Sequence, residues 1–131
     1  ILDVGSGAGL PGIPLAMVNE DKDFKLLDSN GKKTRFMLQA KIELKIENVE
    51  IVQSRVSDFK GEYDHVVCRA FKAADEFVSS CSHLLAVGGT LLAMKGPAES
   101  EIPALKGFKL KVHELHVPGS SLGRYLLEIR K

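Results

Sequence analysis

Cysteine is scarce in this sequence: Cys68 and Cys81 are the only two in 131 residues, and no CxxC pair or histidine set at zinc spacing accompanies them. That excludes a disulfide framework and a zinc ribbon, and makes reduced thiols in a cytoplasmic protein the expectation. Long apolar runs are also missing. No stretch approaches the roughly 20 residues that span a bilayer, and the N-terminus lacks the charged and hydrophobic regions of a signal peptide. Neither secretion nor a membrane partner is expected. Charge of one sign is missing too: 18 Lys+Arg stand against 17 Asp+Glu, for a net charge of +1. The balance is uneven along the chain, at −3 over residues 1–21, +3 over 22–60, −2 over 61–94 and +3 over 95–131. Local basic surfaces fit that distribution, whereas a globally basic protein does not.

What is present suits one soluble domain: 44% of the residues are hydrophobic and 27% charged. A chain of this length buries roughly two thirds of the surface its unfolded form exposes, so it needs no metal or disulfide to fold. No repeat, low-complexity segment or linker divides it, and residues 1–131 are expected to form a single domain and a monomer. The first residue, Ile1, falls inside a predicted strand, an odd place for a natural start. An upstream segment is expected to have been removed.

Short apolar runs alternate with segments of helical period, and Gly, Asn or Asp clusters punctuate them. This α/β pattern predicts strands at residues 1–4, 24–28, 49–53, 63–68 and 89–95, each apolar enough to be buried on both faces. Helices are expected over 11–19, 31–44 and 73–85. Pro11 suits the first turn of the first, and Phe36, Ala40 and Leu44 form the expected apolar stripe of the second. Residues 108–117 and 122–130 read as two further strands joined by Pro118-Gly119-Ser120-Ser121, a hairpin signature. A mostly parallel sheet flanked by helices and closed by an antiparallel hairpin is the layout of a class I, Rossmann-like methyltransferase. Right-handed crossovers then put the ligand at the carboxyl ends of the first strands.

The most informative stretch is Asp3-Val4-Gly5-Ser6-Gly7-Ala8-Gly9-Leu10-Pro11-Gly12. Gly5, Gly7 and Gly9 lack Cβ atoms, so a ligand can lie against the backbone. The N–H groups opening the following helix are expected to be available to a carboxylate or phosphate. Two cofactor classes compete for the loop. Residues 7–12 satisfy the dinucleotide pattern GxGxxG, while Asp3, two residues before the first glycine, gives the alternating D-x-G-x-G-x-G form usual for S-adenosylmethionine, in which the acid fixes the loop or meets the methionine ammonium. Asp28, closing the second strand, is placed to accept both ribose hydroxyls of either cofactor.

Residues 3–16 closely resemble the first motif of the ribosomal RNA small-subunit methyltransferase G family, also called glucose-inhibited division protein B. Further matches follow in order at Leu27-Asp28-Ser29, Lys32-Lys33, Arg35-Phe36, Gln53-Ser54-Arg55-Val56, Arg69-Ala70-Phe71, Lys95-Gly96 and Gly123-Arg124-Tyr125-Leu126. The resemblance implies S-adenosylmethionine as cofactor and methylation of guanine N7 in 16S ribosomal RNA, free or in the small ribosomal subunit. It implies that Gly5 and Leu10 line the methionine end, that Asp28 and Ser29 meet the ribose, and that Val56 and Ser57 meet the adenine edge. Arg69 then reaches the cofactor or the target base and, with Arg124, forms the candidate catalytic pair. Arg55, Lys95 and Arg124 are the candidate RNA contacts. Three features depart from the family pattern: its N-terminal helical region does not precede Ile1, Ser57 stands where an acid is common, and Cys68 replaces a serine.

Such a reaction needs few side chains. Guanine N7 carries an in-plane lone pair, so attack on a sulfonium methyl requires no deprotonation, and rate comes from orientation. Arg69 follows a predicted strand at its carboxyl end, where active sites of open α/β sheets lie. Lys95 could position phosphate without reading sequence. Lys32, Lys33 and Arg35 are a secondary RNA candidate. Cys68 reads as a small buried residue, since N7 attack needs no nucleophilic thiol. His113 and His116 point to opposite faces of their strand, so no metal site follows from them.

Overall fold

The apolar runs pair into one seven-stranded sheet in the computed structural model, which describes residues 1–69, 73–96 and 105–131. Its strands are β1 (Leu2–Val4), β2 (Phe24–Asp28), β3 (Val49–Gln53), β4 (Tyr63–Cys68), β5 (Leu85–Lys95), β6 (Lys109–Leu115) and β7 (Arg124–Arg130). Spatial order is β3-β2-β1-β4-β5-β7-β6. The first five run parallel, and β7 enters antiparallel between β5 and β6. The chain lays down β1, β2 and β3 in one direction and then returns to place β4 on the other side of β1. The order therefore reverses between β1 and β4, and ligands of open α/β sheets bind outside the carboxyl ends at such a switch point.

Successive side chains of a strand face opposite ways, and β2 feeds two cores. Phe24 and Leu26 join Ile13, Ala16, Met37 and Val49 beneath α1 (Gly12–Met17) and α2 (Gly31–Glu43). Leu27 faces the other side with Leu2, Val4, Val66, Leu91 and Ile129, where Phe77 and Cys81 of α3 (Ala74–Cys81) cover the sheet. Cys81 is fully buried there, and burial pushes its thiol up to about 12. Asp3, between Leu2 and Val4, points to the α1 side.

Several boundaries differ from the sequence reading. α3 stops at Cys81 and gives way to a 3-10 turn at Ser82–Leu84, and β5 begins at Leu85 rather than at residue 89. Pairing of β6 with β7 ends at Leu115–Arg124, so residues 116–123 form a longer connection than a four-residue turn, although Ser120 N–H does donate to Val117 O across Gly119. The expected apolar stripe of α2 is corrected more substantially. Thr34 and Met37 are its buried residues, whereas Phe36 and Leu44 are 56% and 51% exposed. Only Ala40 of the predicted stripe packs against the core. The helix turns Thr34 and Met37 to the sheet, a face rotated from the one its largest apolar residues suggest. Ala70 and Phe71 of the Arg69-Ala70-Phe71 match lie outside the described residues.

Candidate active site

The carboxyl edge of the sheet gathers residues that are far apart in sequence. Val4 of β1 opens into Gly5, Asp28 ends β2, Ser54 and Arg55 follow β3, Arg69 follows β4, Lys95 ends β5, and Arg124 starts the antiparallel β7 at the same edge. Five strand spacings separate β3 from β7, about 24 Å at roughly 4.8 Å each. Arg55 and Arg124 therefore bracket the edge and cannot both hold one base.

Residues 5–10 form a loop tied down by its own backbone. Gly5 and Ser6 N–H both donate to Leu27 O, at 2.8 and 3.2 Å, and Gly9 N–H donates to Ser6 O at 2.9 Å. Gly5 and Gly7 have φ of +68° and +59°, which a side chain rarely tolerates. A Cβ at Gly5 would meet no atom within 4 Å. Space therefore lies directly over the backbone, as a closely approaching ligand requires.

Two carboxylates hold this loop. Asp28, 7% exposed, accepts from Gly7 N–H through Oδ2 and from Asn30 N–H through Oδ1, both at 2.9 Å. It joins the loop to the start of α2, and an ionised carboxylate still has lone pairs left for hydroxyl donors. Asp3, 0% exposed, accepts from Gly12 N–H through Oδ2 at 2.8 Å. Its Oδ1 has no hydrogen-bond partner. Burial raises its carboxyl from 3.8 to about 6, against the lowering effects of the Gly12 N–H, the Ser6 hydroxyl and the Arg69 guanidinium.

The expectation that the helix after the loop offers free N–H groups is overturned. Its opening positions are Pro11, Gly12, Ile13 and Pro14. The prolines have no N–H, Gly12 N–H is taken by Asp3, and Ile13 N–H donates to Gly9 O at 2.7 Å. Asp3 and the two prolines close this helix end to an anion.

Beside the loop lies a crevice of about 420 Å³ lined by Val4, Gly5, Leu27, Asp28, Ser29 and Ser54, continuing to Arg55, Val56 and Ser57. Its shape suits a nucleoside: apolar walls from Val4, Leu27 and Val56, with one carboxylate and a cluster of hydroxyls at its side. Gly5, Asp28, Ser29, Val56 and Ser57 of the sequence-predicted set thus meet in one place. Gly7 stands on the other side of the loop, Gly9 is buried against Ile13, and Leu10 is 37% exposed. Arg69 is exposed at the end of β4, and Lys95 is 6% exposed at the end of β5. Arg124 is half-buried and donates to Gly123 O at 3.0 Å. Asn30 escaped the sequence reading, although an Asn just before a helical run is an N-cap signal. Its side chain accepts from Lys32 and Lys33 N–H.

A larger concavity of about 600 Å³ lies at the amino edge of the sheet, among Ile1, Lys25, Asn48 and Tyr63. Asp23, Glu47, Glu50, Glu62 and Asp64 also line it, an unfavourable setting for a polyanion. Among the described residues, no group of three His, Cys, Asp or Glu side chains could hold a metal, and no helix is long and apolar enough to cross a membrane.

Comparison with known proteins bears on this geometry. Residues 1–123 match the family model of the rRNA small subunit methyltransferase G. The ribosomal RNA small subunit methyltransferase G of Pseudomonas aeruginosa (strain LESB58) is 46% identical over 135 residues, covering 99% of this chain and 63% of the relative. Its counterpart in Marinobacter nauticus is 46% identical over 136 residues, covering 100% and 64%. The chain thus spans under two thirds of the length of these relatives. Among solved structures, a SAM dependent methyltransferase from Aquifex aeolicus superposes with a TM-score of 0.73 at 15% identity, covering 98% of this chain and 80% of that one. TYW2 of M. jannaschii, solved in complex with AdoMet, gives 0.75 at 18% identity, covering 98% and 66%. These two establish the fold: a class I methyltransferase sheet.

Proposed function

The chain belongs to the rRNA small subunit methyltransferase G family, and on that footing we propose that residues 1–131 are the catalytic domain of a bacterial, cytoplasmic enzyme that methylates guanine N7 of 16S ribosomal RNA with S-adenosylmethionine. The observation that carries the reading is the crevice at the switch point, where the open backbone of Gly5 meets the carboxylate of Asp28. Its residues fit the cofactor. Asp28 and Ser29 would hold the ribose hydroxyls, the backbone at Val56 and Ser57 the adenine edge, and Gly5 and Leu10 the methionine end, while Gly7 braces the loop through its N–H to Asp28. Asp3 and Gly9 support that end from beneath, where both are buried.

S-adenosylmethionine, when bound, supplies an electrophilic sulfonium methyl group. The protein's part is to orient. Guanine N7 needs no base to become nucleophilic, so Arg69 and Arg124, the two arginines on the β4–β7 side, serve to position the target base and its phosphates. Arg55 completes the basic rim, and Lys95, 6% exposed, lies beneath it. A base drawn from folded RNA must be extruded, at a cost of about a few kcal/mol that these contacts offset.

The test uses labelled S-adenosylmethionine and small-subunit RNA lacking the modification. Label is expected on guanine N7, and label on any other atom overturns the substrate assignment. Replacing Asp28 by Ala should weaken S-adenosylhomocysteine binding by roughly 1.5–3 kcal/mol, about ten- to hundredfold, as hydrogen bonds to a charged acceptor are lost. Calorimetry reads this directly, with NADH as the control ligand, and an unchanged affinity removes Asp28 from the site.

A further inference from the structure

Phe36 contradicts its sequence. A phenylalanine in a helical apolar stripe belongs in the core, yet this one is 56% exposed. Single exposed aromatics are ordinary, but the surroundings of this one are not. Side chains on a helix lean toward its N-terminus and meet the residues three and four positions earlier. For Phe36 those are Lys33 and Lys32. The three, together with Gly7 and Ala8 of the glycine loop, line an apolar depression of about 310 Å³. The loop is a ridge between two hollows, with Gly5 in the nucleoside crevice and Gly7 and Ala8 in this one.

The charged side chains that line the depression are of one sign. The first turn of α2 contains no acidic residue, and both lysines are exposed. The other large exposed apolar residues in the body of α2, Leu38 and Ile42, lie roughly 120–160° around the helix from Phe36, so the ring is not part of one greasy face. An aromatic surface flanked by two ammonium groups complements a nucleobase with its phosphodiester, which stacks on the ring while the cations meet the phosphates.

We propose that Phe36, Lys32 and Lys33 form a platform on which an unpaired base of the substrate RNA, neighbouring the target guanine, stacks. Phe36 is thereby a positioning residue that holds the strand beside the loop. This rests on the RNA-methylating function proposed above.

These 131 residues contain no tryptophan, so a Phe36→Trp variant adds an indole whose emission is read as the difference from the parent protein. The test uses the longest form of the protein its gene encodes, with unmodified 16S RNA as the probe. Emission of the F36W variant is expected to be quenched by RNA and unaltered by S-adenosylhomocysteine alone. The F36A variant is expected to unfold at the wild-type midpoint and to keep its kcat and its affinity for S-adenosylhomocysteine, while its KM for RNA rises roughly five- to hundredfold, the range for losing one stacked base. F36W is expected to restore that KM. Wild-type kinetics in F36A overturns the proposal and leaves the methyltransferase reading intact. So does an indole already blue-shifted without RNA and unmoved by it, which would mean that a protein segment covers the ring. The fluorescence needs no turnover, so it decides the platform even where the wild type fails to methylate guanine, a result that would count against the function instead.

Discussion

At the scale of single residues, Asp3 and Asp28 show how a motif letter hides a second task. The sequence marks both as acids beside a glycine loop, Asp28 as a ligand to the ribose and Asp3 as either a brace for the loop or a partner of the methionine ammonium. Asp3, fully buried, is bound to Gly12 N–H, and Asp28 joins Gly7 to Asn30. Spacing cannot reveal such partners, because the Gly12 and Gly7 N–H groups reach their acceptors only once the loop has curled over the strand ends. Asp3 also makes stability depend on pH. Its folded value of about 6 lies above the unfolded 3.8, so the native state holds the extra proton between those values. Its contribution is fully present below about pH 4 and is lost as pH rises through about 6, a fall of up to roughly 3 kcal/mol at about 1.36 kcal/mol per unit. Asn in its place keeps an acceptor for Gly12 N–H and does not titrate. Urea midpoints of the wild type relative to D3N should therefore decline from pH 4 to 7, and a constant difference would show that Asp3 folds already ionised.

At the scale of elements, the strands were legible and the helix faces were not. β2, β3 and β4 occupy the residues read from their apolar runs, because a strand buried on both sides needs little more than continuous hydrophobicity. α2 was located correctly but read about the wrong axis. Periodicity ranks residues by hydrophobicity, whereas tertiary packing sets which face meets the sheet, and Thr34 and Met37 are buried where Phe36 and Leu44 are not. The start of α2 depends on Asn30, whose Oδ1 accepts from Lys32 N–H at 2.9 Å and Lys33 N–H at 3.3 Å. Replacing Asn30 by Ala should cost about 1 kcal/mol and lower the thermal midpoint. A midpoint equal to wild type would show that the Asp28–Asn30 backbone contact suffices to start the helix.

At the scale of the whole molecule, the two edges of the sheet carry opposite character. The carboxyl edge holds Arg55, Arg69, Lys95 and Arg124 against Asp3 and Asp28, and the amino edge holds Asp23, Glu47, Glu50, Glu62 and Asp64 against Lys25 and Lys41. A net charge of +1 conceals this division, which the segment charges hint at and only the strand order makes spatial. RNA affinity should consequently fall with salt. A single-stranded contact contributes a slope of about 0.7 per phosphate neutralised, so R55A and R124A should each flatten the plot of log affinity against log salt by about 0.7. The effects should add, since the two side chains stand on strands about 24 Å apart. Unchanged slopes would remove both arginines from the RNA path.

The closed start of α1 also has a consequence for selectivity. A cell is rich in dinucleotides and nucleoside triphosphates, and this loop, read as letters, spells a pattern that such molecules recognise. With Pro11 and Pro14 lacking a hydrogen to give and Gly12 and Ile13 already engaged, a pyrophosphate entering here would shed its hydration and find nothing in return. Discrimination is built by withholding. Phosphate-bearing competitors are therefore expected to bind poorly here, without a single group dedicated to repelling them.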